Sequence, residues 1–112
     1  MKYDLAIWEP AESTDAAETF RALVERYMEG ASDEEPTARI EAFLSSLTAV
    51  FPEGALEEGV WASEPLRAGA KGPFLYLCIV GSHLEEVGPV VVRLAAEHGL
   101  VCFDPQVSAR YS

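Results

Sequence analysis

From Tyr3 to Trp8 the chain reads YDLAIW, with a period-two pattern suited to a strand. Tyr3, Leu5 and Ile7 would share one face, with Asp4, Ala6 and Trp8 on the other. Pro10 ends the strand, because proline cannot donate to a continuing ladder. The spacing then becomes helical. Phe20, Leu23, Val24, Tyr27 and Met28 recur along one stripe, preceded by the acidic turn Asp15-x-x-Glu18, with Asp15 or Thr14 as the N-cap. Gly30 closes this helix. Pro36 and Thr37 open a second, whose stripe is Ile40, Phe43, Leu44, Leu47 and Phe51, with Pro52 as the stop. Two amphipathic helices joined by the acidic connector GASDEEP predict a helical hairpin lying on a sheet.

The second half is less regular at first. EGALEEGVW has little periodic content, and WASEPLRAGA predicts a short edge strand, where Pro65 is tolerated. GPFLYLCIV is apolar on both faces, as in a central strand covered on both sides. Ser82-x-x-Glu85 predicts a capping box, and Leu84, Val87, Val91, Leu94 and Ala95 mark the buried face of a third helix. Pro89 follows Gly88 within it. Its ring crowds the Glu85 carbonyl and it lacks an N–H, so a kink or a restart is expected. Gly99 suits a left-handed helix end with His98 at the C-cap and Leu100 folding back on Ala95. LVCFD is a returning strand that Pro105 terminates. The order β-α-α-β-β-α-β predicts a single α+β domain over residues 1–112. Its sheet would be mixed or antiparallel, of about four strands, with helices packed mainly on one face.

Composition narrows the class. A chain of 112 residues supports one core without metals or disulfides, and 49% hydrophobic residues is globular usage. The longest apolar run, Phe74 to Val80, is too short to cross a bilayer. MKYDLAIWEP does not read as a secretory signal. Two cysteines without a Cys-x-x-Cys pair fit a reducing cytoplasm. A Cys78–Cys102 bridge would need neighbouring strands, and two reduced, buried thiols are the expectation.

Charge changes the picture more. The net value is −11, and residues 1–60 contain 14 Asp or Glu against only Lys2, Arg21, Arg26 and Arg39. Such a field repels nucleic acid and anionic membranes, and its complement is a basic protein or a cation. Solubility alone is the bland explanation.

Candidate chemistry is sparse. Cys102 could act as a nucleophile only with a base in reach, and the turn at Gly99 separates it from His98, so a core thiol is expected. His83, His98, Cys78 and Cys102 contain no tight pair of zinc ligands. No phosphate loop, Gly-x-Gly-x-x-Gly, Gly-x-Ser-x-Gly or metalloprotease motif occurs, and Ser63 and Ser82 have no evident partner. The pattern points to no cofactor and no metal. Asp4 and Asp104 are of more interest, because both lie on strands that could be adjacent, although Asp104 before proline also suits a turn. If helices cover one face only, Ala6, Trp8 and Tyr76 form an apolar patch on the other, open to a partner or a second copy. The C-terminal tail or the loop from Gly54 to Gly59 could equally cover it.

Taken together, YDLAIWE and EHGLVCFDPQ at the two ends resemble a family of small uncharacterised proteins common in actinobacteria. PTARIEAFL and GPFLYLCIV leading into SHLEEV are similar to its middle, and Pro89 is atypical. The resemblance implies no catalytic residues. The size and acidity are also similar to those of immunity proteins that neutralise secreted toxins, an analogy of class. The resulting expectation is a cytoplasmic, non-enzymatic interaction module for a basic partner, with a homodimer through the open sheet face as a further possibility. Asp33, Glu34, Glu35, Glu57 and Glu58 would steer association, with Trp8 or Trp61 as the apolar anchor. The alternative is a small enzyme or ligand-binding domain with a strand-end site around Asp4, His83 and Asp104, and with Cys102 as a further member.

Overall fold

A computed structural model describes residues 2–10, 15–30, 33–54 and 59–112. Strand β1 (Lys2–Trp8) is followed by helix α1 (Ala16–Leu23), which continues as a π-helical turn, Val24–Glu29. Helix α2 (Ala38–Val50), a 3₁₀ turn at Leu66–Gly69, strands β2 (Ala70–Lys71) and β3 (Phe74–Val80), helix α3 (Leu84–Glu97), and strands β4 (Val101–Asp104) and β5 (Ala109–Arg110) complete the described chain. The fold is α+β, as expected, but the sheet has five strands. Its order is β2-β3-β1-β4-β5, and every neighbouring pair is antiparallel.

β1 is the central strand, with β3 on one side and β4 on the other. Its alternation is as read from the sequence. Leu5 and Ile7 join Leu75, Leu77, Ile79 and Cys102 beneath α2 and α3, which add Ile40, Phe43, Leu47, Val87 and Val91. Each such aliphatic side chain contributes about 1.5–3 kcal/mol by leaving water. Ala6 and Trp8 face the other way, with Phe74, Val101 and Phe103.

That second face is where the expectation fails. The C-terminal tail does not cover it, and residues 55–58 of the loop considered as the other cover lie outside the described residues. Phe20, Leu23 and Val24 of the first helix pack on it, with the Phe20 ring 5.2 Å from Phe103 and 6.4 Å from Trp8. The helices therefore occupy both faces, and the face on which a dimer was imagined is filled. The tail instead follows the outer edge of β4, where Tyr111 N–H donates to the Cys102 carbonyl at 2.8 Å.

Local signals account for most helix ends. Asp15 caps α1 by accepting from Glu18 N–H at 3.1 Å, and Thr37 caps α2 by accepting from Ile40 N–H at 3.3 Å. At the end of α3, Leu100 N–H reaches the Ala95 carbonyl at 2.8 Å and Gly99 N–H the Ala96 carbonyl at 3.1 Å. Gly99 has φ of 69°, which completes the expected Schellman closure with His98 at the C-cap. Four expectations need correction. Ser82 does not cap α3; it lies in a 3₁₀ turn, Gly81–His83, that leads into the helix. Met28 is 49% exposed, because the wider π turn rotates it away from the stripe that a 3.6-residue period predicts. WASEPLRAGA is not one edge strand but a single bridge at Trp61, the 3₁₀ turn and the two residues of β2. Of the two outcomes expected at Pro89, a kink or a restart, the restart does not occur, since α3 is one element from Leu84 to Glu97.

Candidate functional site

Past the end of the β1–β4 ladder lies a polar cluster built on a buried carboxylate. Tyr3 and Asp104 leave β1 and β4 on the same face, and the β5 hairpin brings Tyr111 back beside them. Asp104 is only 1% exposed. The hydroxyls of Tyr3 and Tyr111 both donate to its Oδ2, the latter at 3.0 Å. Gln106 donates to Oδ1 twice, from its backbone N–H at 2.9 Å and from Nε2 at 2.5 Å. A carboxylate has about four acceptor positions, and here four donors occupy them. Burial opposes the charge on Asp104, but the hydrogen bonds from Tyr3, Gln106 and Tyr111 outweigh it and hold the carboxyl below its ordinary pKa. Those same bonds favour the protonated tyrosines. The bond to Asp104, reinforced by burial, pushes Tyr3 up to about 12, and Tyr111 is raised for the same reasons. An ionised carboxylate with its lone pairs filled is an anchor rather than a general base.

Beside the cluster opens a groove of about 570 Å³ between β1 and α3. Leu5, Leu84 and Val92 form apolar walls, Gly88 and Pro89 also line it, Tyr3, Asp104 and Tyr111 supply the polar lining, and the exposed Arg93 lies at the rim.

Asp4 belongs to the opposite face. Its Oδ2 accepts from Tyr76 Oη at 2.6 Å, and Lys2 Nζ stands 3.7 Å from Oδ1. Cys78 lies opposite Asp4 in the β1–β3 register, with Sγ 3.9 Å from Lys2 Nζ. Burial raises the Cys78 pKa against the lowering effect of Ser63, so the thiol stays protonated. It lines a cavity of about 370 Å³ with Ser63, Lys71 and Tyr76. A neutral thiol lacks the thiolate that nucleophilic catalysis requires.

The strands bearing Asp4 and Asp104 are adjacent, as expected, but the two carboxylates point to opposite faces, and Gln106 links the Asp104 carboxylate to the backbone of Asp4 rather than to its side chain. The Gln106 side chain donates from Nε2 to the Asp4 carbonyl and accepts from the Asp4 N–H, both at 2.8 Å. His83 pairs instead with Glu86, Nδ1 to Oε1 at 3.2 Å. Asp4, His83 and Asp104 thus form no common site. Cys102 is fully buried among the aliphatic residues, and burial with the nearby Asp104 charge pushes its pKa up to about 12. His98 Nε2 lies 3.1 Å from Ser46 Oγ, with its ring edge-on to Phe43. Cys78 and Cys102 are both free; they stand on non-adjacent strands and opposite faces, so they cannot pair. Among the described residues, no group of three or more His, Cys, Asp or Glu could hold a metal ion, and no helix is long and apolar enough to cross a membrane.

Both tryptophans proposed as anchors are interior. Trp8 is 3% exposed under α1, and Trp61 is 6% exposed with Nε1 donating to the Phe51 carbonyl at 2.9 Å. Asp33, Glu34 and Glu35 are exposed. Arg26 Nη2 approaches Glu34 at 3.6 Å, and Arg67 Nη2 approaches Glu35 at 3.2 Å and Glu41 at 2.5 Å. Glu57 and Glu58 lie outside the described residues. Comparison with protein-family models, curated proteins and solved structures finds no match. Function therefore has to be argued from these side chains.

The residues that sequence reasoning missed are Tyr3 as a polar partner, Tyr111, Gln106 and Gly88. Only Gly88-Pro89 carried a signal, a pair of poor helix formers inside a helical pattern, and it reads in the sequence as a kink or a restart.

Proposed function

We propose that this chain is a non-enzymatic interaction module that receives a basic protein partner on an acidic surface, of the immunity or regulatory kind. One observation carries the reading. Every Asp and Glu from Asp15 to Glu53 is exposed: Asp15, Glu18, Glu25, Glu29, Asp33, Glu34, Glu35, Glu41 and Glu53. They outnumber Arg21, Arg26 and Arg39 in the same stretch threefold. Paired acids such as Glu35 remain useful to a partner, because exposed ion pairs contribute little and exchange readily for others. With Trp8 and Trp61 buried, the reading depends on charge. Its immunity-type form rests on the analogy of size and acidity, and a cytoplasmic location goes with it.

Such a surface accelerates encounter with an oppositely charged patch and loses that advantage as salt screens it. The test is capture from native lysate at low and high salt, using wild type and Asp33→Asn/Glu35→Gln, which raises the net charge by two. One stoichiometric basic protein, released as salt rises and captured less by the variant, is the expected result. Capture that ignores both salt and the substitutions, or recovery of no basic protein, overturns the reading.

A further inference from the structure

The groove over Asp104 departs from local rules twice in succession. Glycine and proline are the two poorest helix formers. Gly88 and Pro89 nevertheless sit together inside α3, and both line the groove. The fold does not need the glycine for want of space, since a Cβ at Gly88 would meet Leu84 Cδ1 at 3.5 Å, an ordinary contact. What glycine leaves there is open volume. A departure from local preference with no return in packing is expected where a site is kept for something else.

The polar end of the groove is selective in what it can accept. Tyr3 and Tyr111 each spend their one hydroxyl proton on Asp104, and Gln106 fills the other carboxylate oxygen. The tyrosine oxygens therefore present lone pairs only, above a buried negative charge. Arg93, the cation at the rim, is met by Glu97 Oε2 at 3.6 Å. A ligand suited to this end is a donor, and a positively charged donor is favoured over a neutral one.

We infer that the groove binds an alkylammonium group, with its carbon chain along Leu5, Leu84 and Val92 and its N–H groups donating to the oxygens of Tyr3 and Tyr111 above Asp104. The net charge of −11 draws cationic ligands. This inference is independent of the acidic surface just described, because the groove lies between β1 and α3. An alkylammonium can come from a free amine or from a lysine side chain, which share this chemistry.

The experiment is a titration of the whole chain at neutral pH, followed by backbone amide shifts, with hexylammonium, hexanol and hexanoate. A second arm uses a short uncharged peptide with one central lysine. Expected is saturable binding of hexylammonium, with a Kd on the order of 1 mM and about tenfold tighter than either analogue. Its shifts should centre on Tyr3, Gly88, Val92 and Tyr111. Tighter binding of the peptide assigns the site to a lysine side chain, and tighter binding of the amine assigns it to a free ligand. Asp104→Asn should abolish the preference for the amine. Should that variant fail to fold, Gly88→Leu fills the groove while replacing the glycine with a strong helix former. It is expected to melt no lower than wild type and to lose binding. Equal binding of all three six-carbon probes, or binding unchanged in a folded Gly88→Leu protein, overturns the inference.

Discussion

The two faces of the sheet are built on different terms. Under α2 and α3 the packing is aliphatic: Leu5, Ile7, Leu75, Leu77 and Ile79 interlock with Phe43, Leu47, Val87 and Val91, all essentially without solvent access. Under α1 it is aromatic: Phe103 is tilted against Trp8 and Phe20, which stack on each other, and Phe74 packs its ring against Tyr27 and Tyr76. The covering helix there has eight residues, none of them fully buried, before it widens into the π turn. One face is held by a pair of helices over fully buried aliphatic side chains. The other is held by a few large rings that tolerate a partly wet lid. The comparison teaches that burial of a sheet face is not the same as rigid coverage of it.

Truncating the deepest ring should separate the faces most clearly. Phe43→Ala removes a fully buried side chain from the aliphatic face and is expected to cost about 4 kcal/mol in urea unfolding. Phe20→Ala on the aromatic face should cost only about 2 kcal/mol, because water already reaches part of the ring. Equal losses would break the distinction.

The same contrast explains what could be read from the chain. The aliphatic face was legible because period-two and helical spacings both place Leu, Ile and Val at fixed intervals, and Thr37, Gly99 and Pro52 punctuate them. The cover on the aromatic face was not. The stripe from Phe20 to Tyr27 showed that α1 has an apolar side, but amphipathicity says that a helix must bury one side and not which sheet face receives it. Met28 was misplaced because nothing in a 3.6-residue pattern announces a π turn. The site was less legible still. Asp104 was noticed because its strand could lie beside that of Asp4, yet its partners Tyr3 and Tyr111 lie 101 and 7 residues away, and only the fold brings the three together.

Thiol chemistry offers a smaller contrast between the faces. Cys102 lies wholly within the aliphatic core, whereas Cys78 is 8% exposed beside a cavity on the aromatic side. Alkylation at pH 8 followed by mass spectrometry should modify Cys78 first, slowly because its thiol is raised above its usual pKa, and Cys102 only as the protein opens. Modification of Cys102 at the rate of Cys78 would mean that the aliphatic face is the looser of the two.

The smallest effects should come with pH, at the open end of the aliphatic face. Asp104 ionises more readily when folded, so its contribution is complete above the ordinary carboxyl range and is lost as pH falls through and below it. Tyr3 behaves in the opposite sense. Its folded pKa of about 12 lies above the ordinary phenol value, so its contribution is complete below about pH 10 and disappears as pH rises towards 12. The difference in melting temperature between wild type and Tyr3→Phe should therefore be largest near neutrality and close in strong alkali. A difference that stays constant from pH 7 to 12 would remove the Tyr3–Asp104 bond from the account.

Gln106 has a consequence beyond the site it helps to build. Continuing the β1–β4 register, in which Ala6 faces Phe103, would set Pro105 opposite Asp4, and a proline has no N–H to offer. The Gln106 side chain stands in for that missing peptide unit, giving and taking one hydrogen bond each with the Asp4 backbone. Without it, the outer margin of β1 would present a bare donor and acceptor to the surroundings, the kind of vacancy that invites a strand from a neighbouring molecule. One glutamine thus acts as a stopper against intermolecular sheet growth, at the point where the chain's own ladder runs out.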